Sequence, residues 1–483
     1  MAHLDEKGLY EVSGILRNYI VNQIPNIKTD GDGTKFLNDK GEYKEINAVN
    51  IDVVQWYGIE WVANQDSPLC TRIGNLSLHR SLPIQNGLRG CVVKDGTVNY
   101  YLDPNDWSKK EDGTPSVLDG TDGVVRVDTG CTFYGKSEED GNLFRVKIST
   151  KKIDDSWTEI PRLLIDAYRC TIDTTNPDLP KAVSVVNTTP EFRGGGNRPA
   201  YDEYLNSDPF KTDLGKPRTG IESRAEMRTY ARNNDSYVLS YEYYKWIFYW
   251  LPIIEFANFD SQSDLVKTSF SGFKEGGLVI GVTNMEASRW GKYNKYYPLS
   301  PCGYTNKGGN QSHVESHYIS DVNLHIHIYP NRYRGFENPF GDIWTTLDGV
   351  VLEPTYTLDD PDWSRTDNVW VYDNPEDFSD ILDKDRARFI GIRGIGQIKE
   401  FKLQSTAEIV PAYFGLSLAG KCDQSRKNYT DKIDNQETLF VGGCAHLEGD
   451  AGLCAMATRT LDCIKPFYGF RTFCFYDKDS KVK

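Results

Sequence analysis

The sequence predicts an α+β fold in which many short antiparallel strands outnumber a few helices. From about residue 48, β-type runs such as VVQWYGIEWV, GCVVKDGTVNYYL, GVVRVDT and NLFRVKIST alternate with Gly, Asp and Pro turns, the rhythm of antiparallel strands. One later stretch, YVLSYEYYKWIFYWLPIIEFANFDSQ, is apolar on most faces between Tyr241 and Phe256, which marks a helix buried on several sides. Two separated elements then suggest a tightly turned core: NRYRGFENPFGDIW at 331–344 combines Asn338, Gly341 and Trp344, and VGGCAHLEGDAGLCAMATRT sets paired glycines before unlike side chains, followed by the aromatic GFRTFCFY.

At 483 residues the chain has room for two to four domains, or one large irregular domain with appendages. A hydrophobic content of 39% with 12% aromatic residues excludes a disordered chain. Tyrosine, at 29 residues, is the commonest aromatic; it suits both half-buried strands and contact surfaces. The net charge of −14, with no basic stripe, argues against a nucleic-acid partner. MAHLDEKG lacks the apolar segment of a secretory leader, and Trp246–Ile254 is too short to cross a bilayer, so synthesis in a cytosol without membrane insertion is expected. The chain has 10 cysteines and no CxxC pair, so zinc is not expected and most thiols should be buried.

In chain order, residues 4–24 read as a helix with a stripe of Leu9, Val12, Leu16, Tyr19 and Ile20, stopped by Pro25. The stripe suits self-association or packing on its own domain. Glycine turns at Asp30–Gly33 and Asp39–Gly41 flank a short strand at Thr34–Leu37, a piece from which several chains could build a β-collar. The expected organisation is therefore an attachment and oligomerisation segment at 1–47, a β-rich subdomain at 48–150 and a larger domain at 151–483 with a binding region at 440–476. A strand pair is expected near DAYRCTID, and residues 186–235 are loop-rich, with RGGGNRP at 193–199 lacking the strand and helix of a phosphate loop. LHIHIY at 324–329 places His325 and His327 on one side of a strand, more simply a polar sheet face than a metal pair, with His313 and His317 in a loop. Residues 345–400 are acidic and turn-rich, which suggests surface.

Several strings resemble a family of variable proteins encoded by phages and prophages of gut bacteria: SPLCTRIGNLSLHRSLPIQ (67–85), DPNDWSKKEDG (103–113), SVVNTTPEFRGGGN (184–197), FYWLPIIEFANFDSQ (248–262), YYPLSPCGYTN (296–306), RYRGFENPFGDIW (332–344) and VGGCAHLEGDAGL (441–453). They run from about 50 to 476. The resemblance implies a C-type-lectin-like body of the formylglycine-generating-enzyme subtype. It also implies membership among the targets of diversity-generating retroelements, a virion location and host-surface recognition.

Within the C-terminal region, Gly442 and Gly443 allow a sharp turn, and Gly449 and Gly452 break the following segment. Loops on rigid scaffolds commonly carry binding. The exposed candidates carried over are His446, Leu447, Glu448, Asp450, Cys454, Met456, Thr458, Arg459 and Thr460. Adenine mutagenesis of AAC codons could produce several of these residues, but not Glu448 or Met456.

Catalytic proteins of this fold use two close thiols after an RGGSW-like string. Here Cys444 and Cys454 are further apart and the Arg and Trp are missing, so no enzyme is expected. The fold's calcium turn maps onto Asn338, Gly341 and Ile343, with Thr345 in place of the ligating Glu and Asp342 as the nearest substitute; a metal-free turn is the simpler expectation. The sequence is thus read as a homotrimeric phage fibre, spike or tail-tip protein that recognises a bacterial surface glycan or protein and docks on other virion proteins through its N-terminal segment. The alternatives are a structural head-fibre, decoration or collar protein, and, behind that, a formylglycine-generating-type oxidase.

Overall fold

The computed structural model describes residues 35–37, 43–45, 54–62, 67–173, 175–186, 223–282, 302–321, 324–356, 365–393, 396–403, 409–414, 424–427, 436–445, 451–460 and 468–476. The chain divides into two compact units, Met1–Val54 and Gln55–Lys483. In the first, Lys35–Leu37 pairs antiparallel with Tyr43–Glu45, so the short strand expected between the glycine turns is one arm of a hairpin. The helix expected at 4–24 and the glycine run at 193–199 lie outside the described residues.

The second unit is a β-rich α+β fold, mostly antiparallel. A five-stranded sheet runs in the order Thr158–Ile160, Phe133–Asp140, Leu143–Ser149, Trp56–Val62, Thr71–Gly74. A six-stranded sheet runs Tyr237–Val238, Thr472–Phe475, Leu163–Asp166, Val124–Asp128, Arg89–Lys94, Thr97–Tyr101. The DG pair Asp95–Gly96, with both φ positive, closes the Arg89–Tyr101 hairpin, as an alternating run with DG at its centre should. Residues on both sides of position 150 share these sheets: Leu163–Asp166 pairs with Val124–Asp128, and Thr158–Ile160 with Phe133–Asp140. The expected 48–150 subdomain is therefore not a separate body. Early and late strands complete each other's ladders, a long-range pairing that local sequence pattern does not encode.

The apolar helix lies at the centre. It begins as Tyr241–Tyr244, widens to a π-helix over Lys245–Trp250 and resumes as Leu251–Phe256, every residue from Tyr244 onward being buried. Pro252 explains the widening. It has no N–H to donate, and its ring would press on the carbonyl four residues back, at Phe248; an extra residue in the turn relieves both problems. Trp250 stacks on Trp61 at 5.8 Å and Phe248 meets Phe336 at 4.4 Å. Gly135 makes room for Trp246: a Cβ there would sit 2.2 Å from the indole.

A ten-stranded sheet occupies the C-terminal half. Its path is Arg388–Arg393, Arg365–Val371, Val350–Tyr356, Glu437–Gly442, Gly452–Thr460, Gln424–Lys427, Gly396–Leu403, Ile409–Phe414, with Trp344–Thr346 and Tyr468–Gly469 attached beside Glu437–Gly442. This corrects the expectation that 345–400 is surface. Val350, Val351 and Leu352 are fully buried, and Val369 and Val371 line the same core. The acidic residues sit mainly in the turns, and their density masks short apolar strands between them.

The eight described cysteines are free thiols; Cys70 and Cys131 are half-buried and the others buried. Burial also extends to charges. Arg126 meets Asp166 at 3.0 Å, and Asp166 also accepts the backbone N–H and hydroxyl of Thr472, both at 2.6 Å. Glu255 takes a forked pair of bonds from Arg334, at 3.1 and 2.6 Å. Such pairs tolerate the interior because each charge keeps both a counter-ion and further hydrogen bonds.

Removing one partner should cost more than removing both. Asp166→Ala should lower unfolding free energy by about 3–5 kcal/mol in urea titration, while a packed Arg126→Met/Asp166→Leu pair should cost less. Burial also pushes the His79 imidazole down from 6.5 to about 4, with Arg72 beside it adding to the effect. The unfolded chain therefore binds a proton that the folded chain resists, so this stability is full above pH 6.5 and is lost as pH falls from 6.5 to about 4. Across that window, urea midpoints of the wild type should fall more steeply than those of His79→Gln.

Candidate functional site

The glycine-rich C-terminal segment forms a hairpin inside the ten-stranded sheet. Glu437–Gly442 and Gly452–Thr460 pair antiparallel, with Leu439 opposite Thr458, Val441 opposite Met456 and a register shift before Gly442. Gly442 and Gly443 both have positive φ, at 88° and 74°, so the chain leaves the first strand through a turn that side-chained residues resist. The base of the connection is tied down on both sides. Gly341 N–H donates to Gly442 O at 3.0 Å and Ala445 N–H to Asp342 O at 3.1 Å. On the return, Gln262 Nε2 donates to Ala451 O at 2.6 Å and Tyr244 OH to Leu453 O at 2.7 Å. Leu453 N–H reaches Ser261 Oγ at 3.2 Å.

Of the exposed candidates in this region, the structure corrects three. Cys454, Met456 and Thr458 are 2%, 5% and 0% exposed, and Cys454 and Met456 belong to the main core. They lie on an interior strand, flanked on one edge by Glu437–Gly442 and on the other by Gln424–Lys427. The mixed composition of CAMATRT, which suggests a surface, reflects a strand whose described residues are buried in two clusters: Ala455 and Ala457 pack with Trp344, Phe440 and Tyr468, while Leu453, Cys454 and Met456 belong to the main core. Arg459 and Thr460 end that strand. His446, Leu447, Glu448 and Asp450 lie outside the described residues.

The turn at 331–344 takes the form its residues suggest. Asn338 and Gly341 have φ of +44° and +83°, and Trp344 is buried in the cluster with Phe440 and Tyr468. The turn lacks a Glu at the position where the fold's calcium site has one. The place of the ligating carboxylate is held by Thr345, itself in strand pairing with Val441. Two guanidinium groups lie against the turn. Arg471 Nη2 donates to the carbonyls of Glu337 and Asn338, and Arg169 Nη1 faces the Asp342 carboxylate at 3.5 Å. Burial, and then the nearness of Arg169, push Arg471 down to about 9.

Cys444 and Cys454 are both buried and belong to different packing clusters, Cys444 beside Trp344 and Tyr468, Cys454 in the main core. Of the histidines at 313–327, His313 and His317 have partners of their own. His313 bonds Glu315 at 2.8 Å, and His317 stacks on Tyr304 at 3.9 Å. Among the described residues no three His, Cys, Asp or Glu side chains meet as metal ligands. What the hairpin His317–Asp321/Leu324–Ile328 does present is an exposed aromatic row that the sequence reading half anticipated: Tyr318 lies opposite His327 with ring centroids 4.9 Å apart, and Tyr329 follows at 6.5 Å. The period-two alternation that placed His327 on one face also places Tyr329 there; only strand pairing adds Tyr318.

Comparison with family models, with curated proteins and with solved structures found no match to this chain.

Chelation should leave the thermal midpoint of the purified protein unchanged, and added calcium should not raise it. Arg169→Met, which leaves the Asp342 carboxylate buried without its cation, should cost about 3 kcal/mol in the same urea assay.

Proposed function

We propose that this chain is a phage virion protein, a homotrimeric fibre, spike or tail-tip component with a C-type-lectin-like body of the formylglycine-generating-enzyme subtype. In this reading it recognises a glycan or protein on the bacterial surface through the 446–450 connection; Arg459 and Thr460, paired with Thr438 and Glu437, lie at the far end of the same hairpin. The family resemblance of the strings between 67 and 453 supports the reading. The observation that carries it is the anchorage of the connection, whose two ends are bolted to the 341–342 turn and to the central helix region by the five hydrogen bonds at Gly341, Ala445, Gln262, Tyr244 and Leu453. A loop held at its base loses little entropy on contact, so a few side chains can yield useful affinity. Several copies on one particle would multiply weak contacts.

Burial of Cys454, Met456 and Thr458 narrows the contact surface and favours, as the second reading, a structural decoration or collar role without receptor contact. The oxidase reading is the weakest, because Cys444 and Cys454 are buried in separate clusters and a working dithiol must reach both its partner and the substrate.

Replacing His446, Leu447, Glu448 and Asp450 together by serine should reduce binding of the purified protein to host cells at least tenfold, with the thermal midpoint little changed. Equal cell binding by the two proteins would favour the structural role, most directly if particles lacking the chain fail to assemble.

A further inference from the structure

A cleft lies far along the chain from the C-terminal connection. The Asp95–Gly96 turn, the loop at 119–124 and the hairpin Thr171–Asp173/Lys181–Val183 enclose a cleft of about 250 Å³. Its walls are held from behind: Ser184 O accepts Val125 N–H at 2.7 Å, Leu118 O accepts Val186 N–H at 2.8 Å, and Asn234 Nδ2 donates to Ala182 O at 2.8 Å. The shape therefore belongs to the fold and does not depend on a ligand to form it.

The lining combines three kinds of group. Val124 and Val183 supply apolar surface, Lys94 and Lys181 supply donors, and Asp95, Asp119 and Asp173 supply acceptors. Neither lysine forms an ion pair among the described residues. Asp173 uses Oδ1 to fix its own turn, accepting Thr175 N–H at 2.9 Å and its hydroxyl at 2.6 Å. Both lysines thus keep unspent hydrogen-bonding capacity at the rim.

The geometry points to a binding site for one neutral sugar ring. Each hydroxyl of a pyranose both donates and accepts, so a lining that contains both ammonium and carboxylate groups can serve its hydroxyls. The C–H face of the ring needs a small apolar surface, which the two valines provide. The volume falls just below the ~300–1,000 Å³ of drug- and cofactor-sized sites, which leaves room for a single ring rather than a chain. Three carboxylates against two ammonium groups leave the cleft slightly negative on a chain of net charge −14, which disfavours phosphate and uronate. Among the described residues the carboxylates do not converge as metal ligands. This inference does not rest on the receptor reading.

The test is saturation-transfer NMR followed by calorimetry on the full chain with glucose, galactose, mannose, N-acetylglucosamine and glucuronate. At least one neutral sugar should saturate with a millimolar Kd. Lys94→Met/Lys181→Met, which replaces two surface groups outside any ion pair, should weaken it tenfold or more without moving the thermal midpoint. The 446–450 serine variant should bind the sugar as the wild type does. Absence of saturable binding to every neutral sugar, preference for glucuronate, unchanged binding by the double methionine variant, or loss of binding in the serine variant would each overturn the assignment. Host-cell binding is read separately, so the receptor proposal can fail while this one holds, and the reverse.

Discussion

Arg471 is buried, and its guanidinium reaches four backbone carbonyls from two distant stretches: Asp166 and Ala167 through Nη1, at 3.0 and 2.7 Å, and Glu337 and Asn338 through Nη2. A buried carbonyl without a donor costs on the order of 1–3 kcal/mol, and an irregular turn at the end of a sheet has no ladder to supply one. One side chain therefore closes the accounts of the six-stranded sheet and the 331–344 turn together. It works only as a charged, planar fork, because a lysine would offer three donors from one point and could not span two segments. Arg169 lies beside it as a second interior cation, and Asp342 keeps that charge tolerable.

The position of the C-terminal hairpin follows from this cross-tie. Arg471 sets the 331–344 turn, Gly341 in that turn holds Gly442, and Asp342 holds Ala445. The central helix region secures the other end through Gln262, Ser261 and Tyr244. The connection between Ala445 and Ala451 is thus spanned by fixed points on both sides. The arginines that stiffen this base do so from inside, through guanidinium groups held against backbone carbonyls and a carboxylate.

Charge is distributed accordingly. Arg126, Arg224, Arg332 and Arg471 are among the largest fully buried side chains, and each is spent on structure. Arg224 holds Val350 O and Thr438, tying the helix Arg224–Arg232 to the ten-stranded sheet. Arg332 lies over the Trp107 ring at 3.7 Å. Buried carboxylates such as Asp128, Asp166, Glu255, Glu337, Asp342 and Asp348 balance these cations, so the interior holds charge without a large net excess. Among the described residues, exposed features include the Tyr318–His327–Tyr329 row and the rim of the cleft near Lys181.

Local pattern alone determined a good part of this molecule. Alternating runs located the strands at Trp56–Val62, Arg89–Tyr101, Val124–Asp128 and Leu143–Ser149, and continuous apolarity located the central helix, because strand and helix periods are written in neighbouring residues. Asn338 and Gly341 announced the turn through their tolerance of positive φ. Burial was a different matter. CAMATRT looks like a surface segment until two strands flank it, and the acidic stretch after Thr345 conceals Val350–Leu352 until they enter a ten-stranded sheet. Which face of a strand is covered, and which carbonyls a buried arginine must satisfy, depend on partners a hundred or more residues away. Only the tertiary structure could decide them, because burial is a property of contacts between segments and not of the segments themselves.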